Sequence, residues 1–266
     1  MFLAVCFLWM TTPPSVGARV VLGSQTSEYS VRVANPELQV YDYENNGYLQ
    51  KAAKGEDGIQ VRVQVKNSQL SSKMRARPVR PLPASLASLE QGLNNRSGGY
   101  LADQISFLVH WLRHEIDLDA GYVADQSLER VCREKTANCV GLSTLFLHVL
   151  ENMDVKARFV TGVSFKPGDR ASLVLEGNVL HRWVEIYYED VGWVFCDPAG
   201  RVNFVDATYL VLGVQNLHPL EAQLDRAVGA RVELLRFSNG FQTVGSMPEY
   251  GQGLRIRPNR LFLSPQ

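Results

Sequence analysis

Between residues 101 and 197 the spacing of apolar residues changes period once, and that change limits the possible folds more than any other feature. Leu101, Ile105, Leu108, Val109 and Leu112 follow the i, i+4, i+7, i+8, i+11 spacing of one helix face, which continues to Ile116. Leu142, Leu145, Phe146, Val149 and Met153 keep the same period, which predicts a second helix starting near Asn138, a good N-cap. From Val155 the period falls to two, predicting strands at 156–165, 180–188 and 193–197, with later ones at 231–237 and 254–263. Helices followed by an antiparallel sheet make an α+β domain.

The chain before this region reads differently. Ile59 to Lys66 alternates apolar and polar residues, the period of a half-buried strand, and 28–33 and 38–43 are shorter candidates. Residues 71–83 hold Lys73, Arg75, Arg77 and Arg80 among three prolines, a composition that predicts an extended, solvated linker. The expected organisation is a small β domain over 19–70, the linker over 71–83, the α+β domain over 84–215, and a β extension of its core over 216–266.

Composition removes whole classes of function. Lys+Arg and Asp+Glu are 27 each, so the basic excess that grips nucleic-acid phosphates is missing. No apolar run approaches the roughly 18–20 residues of a membrane-spanning helix, so no stable membrane insertion is expected. Met1 to Met10 is apolar and is followed by Thr-Thr-Pro-Pro-Ser-Val-Gly-Ala, the layout of a secretory signal cleaved after Ala18, although no basic residue precedes Arg19. The expectation is an exported protein, periplasmic or secreted. Leu3 to Cys6 lies too near the start to read as an acylation box. Removal of 1–18 leaves Cys132, Cys139 and Cys196; no CxxC pair occurs, and the Cys132–Cys139 gap does not suit zinc. Whether Cys132 and Cys196 pair is open.

Three segments carry chemistry. With Asn138 as N-cap, Cys139 sits in the first turn of its helix, where the dipole lowers a thiol pKa; the alternative is an inert buried cysteine. His181-Arg-Trp183-Val-Glu185 and Gly192-Trp193-Val-Phe-Cys196-Asp197-Pro198 flank a short loop at 189–191. An odd-numbered loop puts Asp197 opposite Trp183, on the same face as His181; an even one sends it to the other face. Asp197 is then positioned to hold the imidazole of His181, and His181 to activate Cys139. By the same alternation Cys196 points away, into packing.

These segments resemble the transglutaminase-like superfamily of papain-fold thiol enzymes. Its members have a cysteine opening a helix, a strand of the form A-R-x-V-x-G (here Ala157 to Gly162), H-x-W-V-E (His181 to Glu185) and G-W-x-x-x-D-P (Gly192 to Pro198). All occur in order across roughly residues 100–210. The resemblance implies Cys139 as nucleophile, His181 as general base and acid, and Asp197 as the orienting carboxylate. It also implies a peptide or protein substrate and no metal or cofactor. Asn138 stands where many members have Gly, and Val140 where cross-linking members have Trp. The implied activity is amide-bond hydrolysis through an acyl-thioester, as a peptidase or amidase; the alternatives are acyl transfer to an amine and a non-catalytic binding module. One oxyanion donor is the backbone N–H of Cys139, and Gln104 is a candidate for the second, with a plain surface role as its alternative. Trp183 and Glu185 share a strand face with His181 and are candidates to line the cleft, unless Trp183 only covers the site from water.

Overall fold

The computed structural model describes residues 18–34, 39–66, 72–119, 125–165, 172–175, 180–217, 230–240 and 242–247. The signal-like 1–17 and the strand expected at 254–263 lie outside the described residues. The first strands are β1 (Ala18–Leu22), β2 (Ser24–Val33), β3 (Tyr43–Asn45), β4 (Tyr48–Gly55) and β5 (Gly58–Lys66). Helices and two short strands follow: α1 (Ala87–Asn94), α2 (Leu101–Glu115), β6 (Asp117–Leu118), α3 (Leu128–Glu134), β7 (Thr136–Ala137) and α4 (Cys139–Asn152). The remainder is β8 (Ala157–Ser164), β9 (Ser172–Leu175), β10 (His181–Tyr188), β11 (Gly192–Cys196), β12 (Tyr209–Val214), β13 (Ala230–Asn239) and β14 (Gln242–Met247). The fold is α+β with antiparallel main sheets.

Two sheets and a helical layer stack around the site. One sheet runs β11-β10-β8-β12, the other β3-β4-β5-β2-β13-β9. The period of two along β10 gives its faces separate work. Val184, Ile186 and Tyr188 point into a core with Leu142, Leu145, Phe146 and Val149 of α4, as the helical spacing predicts. Trp183, on the other face, packs with Val160, Phe195 and residues of the six-stranded sheet such as Tyr29, Val31 and Val63. Each fully buried side chain of this size contributes about 1.5–3 kcal/mol. The N-terminal strands thus form a sheet of their own, and its inner face is roofed by the sheet that carries His181. β13 hydrogen-bonds to β2 and β9, so this C-terminal strand widens the N-terminal sheet and does not lengthen the β11-β10-β8-β12 ladder.

The segment expected as a solvated linker is held along its length. Leu101 N donates to Met74 O at 2.9 Å, Val79 N to Asn94 Oδ1 at 3.1 Å, Arg80 N to Asn152 O at 2.9 Å and Leu82 N to Glu90 Oε2 at 2.7 Å. Its prolines do keep it extended, but helix ends and polar side chains take the backbone groups that a free linker would leave to water. Helices α1 and α3 and strands β1, β4, β6, β7, β9, β12 and β14 are additions to the expected elements. Of the described residues 39–43 in the stretch expected as a strand over 38–43, only Tyr43 is in one.

Candidate active site

The site begins with an N-cap. Asn138 has extended backbone, and its side chain accepts from the N–H groups of Val140 and Gly141 at 2.9 and 3.3 Å. That starts α4 at Cys139 and leaves the backbone N–H of Cys139 directed out of the helix, with no acceptor among the described residues. Gly141 allows α4 to lie close on its neighbours: a Cβ there would meet Gln126 Oε1 at 2.5 Å and Val131 Cγ2 at 2.9 Å.

The imidazole comes from the first residue of β10. The loop at 189–191 is three residues long, and the ladder pairs Tyr188 with Gly192 and Val184 with Cys196. That odd loop carries Asp197 onto the face of His181, and His181 Nε2 lies 2.7 Å from Asp197 Oδ2. Cys139 Sγ lies 3.9 Å from the carbonyl oxygen of Leu180, the residue before His181, close enough for His181 to lower the thiol pKa. Structure thus brings together the three residues singled out in the sequence.

Electrostatics follow from burial and neighbours. Burial pushes the Cys139 thiol up, but the hydrogen bond and charge of His181, with the backbone N–H of Arg182, outweigh it and bring it below the ordinary value. Burial acts against the charged form of His181, yet the Asp197 carboxylate raises its pKa well above the usual histidine range. Asp197 is itself driven down, against its burial, chiefly by His181 and then by Tyr209 and the N–H of Ala199. The arrangement favours a thiolate–imidazolium pair over a neutral one, which is the charge state a cysteine nucleophile requires.

Tyr209 and Ala199 were not found in the sequence. Tyr209 Oη donates to Asp197 Oδ2 at 2.6 Å, and Ala199 N donates to Oδ1 at 2.9 Å. The second bond was legible in principle, because Asp-Pro-x-Gly is a turn in which Asp accepts from the N–H two residues on. Tyr209 had no such local signal; it reaches the carboxylate from β12, the far edge of the sheet. Rings of Trp183 and Tyr209 lie against His181, with centroids 5.8 and 5.7 Å away. Trp183 is fully buried and therefore covers the site rather than lining a cleft.

Two expectations change in the structure, and one open point is answered. Glu185 lines no cleft: it is fully buried and accepts from Tyr43 Oη at 2.5 Å and Asn45 Nδ2 at 2.8 Å, while pairing with Arg158 Nε at 2.8 Å. It ties β10 to β3 of the other sheet. Gln104 is neither an oxyanion donor nor a surface residue. It is wholly buried, donates to Arg77 O and Leu93 O at 2.8 and 3.1 Å, and accepts from Arg77 N at 2.8 Å, so its amide is used up holding the 72–83 segment. Cys132 and Cys196, left open as a pair, are both free and buried. Cys196 packs in the helix-side core, and burial pushes its thiol up to about 12.

A cleft of about 310 Å³ opens beside His181 and Asp197, lined also by Arg113, Ser164, Gly200, Arg201 and Tyr209. Among the described residues no group of three or more His, Cys, Asp or Glu is placed to hold a metal, and no helix is long and apolar enough to cross a membrane.

Comparison with known proteins gives one family match. Residues 88–198 match the model of the transglutaminase-like superfamily. No curated protein matches the chain. Among solved structures, a candidate cysteine protease from Cytophaga hutchinsonii is 12% identical, with 88% of this chain and 95% of that one covered and a TM-score of 0.41. The periplasmic domain of TgpA from Pseudomonas aeruginosa, bound to ethylmercury, is 13% identical over 71% of this chain and 92% of its own, with a TM-score of 0.38. Red sea bream transglutaminase is 12% identical, covering 70% of this chain and 47% of that chain, with a TM-score of 0.29. Scores this low say nothing about activity.

Proposed function

We propose that this chain, whose residues 88–198 match the transglutaminase-like superfamily model, is a cysteine-dependent amide-bond hydrolase, a peptidase or amidase acting on a peptide or protein. The observation that carries the reading is an imidazole whose Nε2 lies 2.7 Å from a buried carboxylate, beside the thiol at the N-terminus of α4, whose pKa it lowers. In this reaction the Cys139 thiolate adds to the amide carbonyl carbon. The backbone N–H of Cys139 stabilises the resulting oxyanion. His181 Nδ1–H protonates the departing nitrogen as the C–N bond breaks, leaving an acyl-thioester and a neutral imidazole. That imidazole then takes a proton from water, whose oxygen attacks the thioester; the thiolate leaves and the carboxylic acid is released. Asp197 keeps the ring in the required tautomer and steadies the imidazolium.

Hydrolysis is preferred to cross-linking because Val140 follows Cys139, where cross-linking members have Trp. Mass spectrometry of a mixed peptide pool incubated with wild type and with Cys139→Ala tests this. Cleavage products formed only by the wild type are the expected result. Mass changes of deamidation or cross-linking would assign acyl transfer chemistry instead, and an unchanged pool would leave a binding module. The layout of Met1–Ala18 supports an exported protein; N-terminal sequencing of the mature protein should then begin near Arg19, and a retained Met1 on a cytoplasmic protein would overturn that reading.

A further inference from the structure

One cation beside the cleft at His181 has no carboxylate partner among the described residues. Asp197 is matched by His181, and Asp206 by Arg201, whose Nη2 lies 2.8 Å from Asp206 Oδ2. Arg113, near the end of α2, lines the same cleft and pairs with no carboxylate among the described residues. Its guanidinium lies over the turn that follows Asp197, where Gly200 makes room: a Cβ on Gly200 would stand 3.4 Å from Arg113 Cζ and Nε. Arg201 lines the cleft too, but its charge is already met by Asp206. The Arg113 guanidinium therefore faces a space with a wall in common with the imidazole. That donor set suits a compact oxyanion, which a guanidinium binds through paired N–H groups.

We propose that this cleft is a substrate subsite for a carboxylate, so that the protein selects peptides with an acidic side chain or a free C-terminal carboxylate close to the bond at Cys139. The inference rests on the amide-hydrolase reading and names the substrate class for it. Arg113 is the specificity residue, and it takes no part in bond making. A carboxylate held there stands on the Asp197 side of the ring, with both Asp197 oxygens already occupied by His181, Tyr209 and Ala199, so the like charge is largely masked.

The test uses calorimetric binding to full-length Cys139→Ala protein, so that turnover does not enter. The probes are four N-acetylated tetrapeptides, Ala-Ala-Glu-Ala and Ala-Ala-Gln-Ala, each with a free and an amidated C-terminus. The expected result is about tenfold tighter binding of a charged peptide than of the fully neutral one. A gain from Glu identifies the side-chain source, and a gain from the free acid identifies the C-terminal one. Adding Arg113→Gln should cut the preference to within about twofold, and Arg113→Lys should keep part of it; Arg113 is exposed on a helix surface, so these variants should fold. Equal binding of charged and neutral peptides, no binding of any, or a preference that survives Arg113→Gln would each overturn the proposal. Failure of the hydrolase reading looks different: the wild type then leaves the mixed peptide pool unchanged, whatever these peptides do.

Discussion

Replacing Glu185 by Gln takes one charge out of the space between the two sheets and leaves its shape unchanged. The carboxylate accepts from Tyr43 and Asn45 through Oε1 and pairs with Arg158 through Oε2, with no exposure to solvent. An amide keeps one oxygen for Tyr43 and Asn45 but turns an NH2 group toward Arg158 Nε, donor against donor. Breaking a buried ion pair from one side costs about 3–5 kcal/mol. The Arg158 side chain keeps 17% of its exposure and lies over the Trp193 ring, 3.9 Å from its centroid, so it can turn toward water without crossing the core. That sets the loss near the lower end, about 3 kcal/mol, or roughly 6–12 °C in Tm for a chain of this size. Urea unfolding followed by tryptophan fluorescence measures the stability, and iodoacetamide labelling of Cys139 in the folded variant measures the site. Stability should fall while the labelling rate stays within about twofold, because no bond of Glu185 reaches the thiol or the imidazole. Adding Arg158→Met should restore at least half of the loss, since the stranded charge goes with it. A loss below about 1 kcal/mol together with tenfold slower labelling would refute the reasoning and put Glu185 at the site.

Labelling of Cys139 by iodoacetamide should remain fast at mildly acidic pH, and His181→Ala should move its midpoint up toward about 8.5, the value of a free thiol; a wild-type midpoint already there would count against the ion pair. The pair also sets a stability window. Asp197 is depressed on folding, so its contribution is present above about pH 3.9 and is lost as pH falls through the folded value; His181 is raised, so its contribution is complete below about pH 6.5 and is lost as pH rises through the folded value. Urea midpoints should therefore peak between roughly pH 4 and 6.5, and Asp197→Asn should flatten the profile; a variant profile parallel to the wild type would contradict this. Gln104→Leu removes three hydrogen bonds, two of them to the backbone of Arg77, so limited trypsin digestion should cut after Arg75, two residues away, in the variant and spare the wild type; equal resistance would show that the remaining contacts suffice.

How far the sequence carried depends on the range of the forces involved. Asn138, the apolar stripe of α4 and the parity of the 189–191 loop are local, and they were enough to bring Cys139, His181 and Asp197 to one place. The 72–83 segment reads as a linker because its prolines and cations are local, whereas its partners, Asn94, Gln104 and Asn152, are distant in sequence. Gln104 illustrates the same limit: a polar residue on an apolar helix reads as surface or as chemistry until the segment that covers it is known. Tyr209 and Arg113 reach the site from β12 and α2, and only the assembled topology brings them within range. Glu185 sits in the same motif as His181, yet its role is set by Tyr43, 142 residues away.

The place of β2 has a consequence for how the chain is made. One edge of β2 pairs with β5 close by in sequence, but the other pairs with β13, with Gln25 and Asn239 joined across 214 residues. At about 5–20 residues per second of synthesis, that second edge waits roughly 10–40 seconds for its partner. Throughout that time it offers unpaired N–H and C=O groups, the template on which other chains add. Chains that stop before residue 230 never cover it, so truncated products of this protein should associate with one another while the full-length chain stays apart.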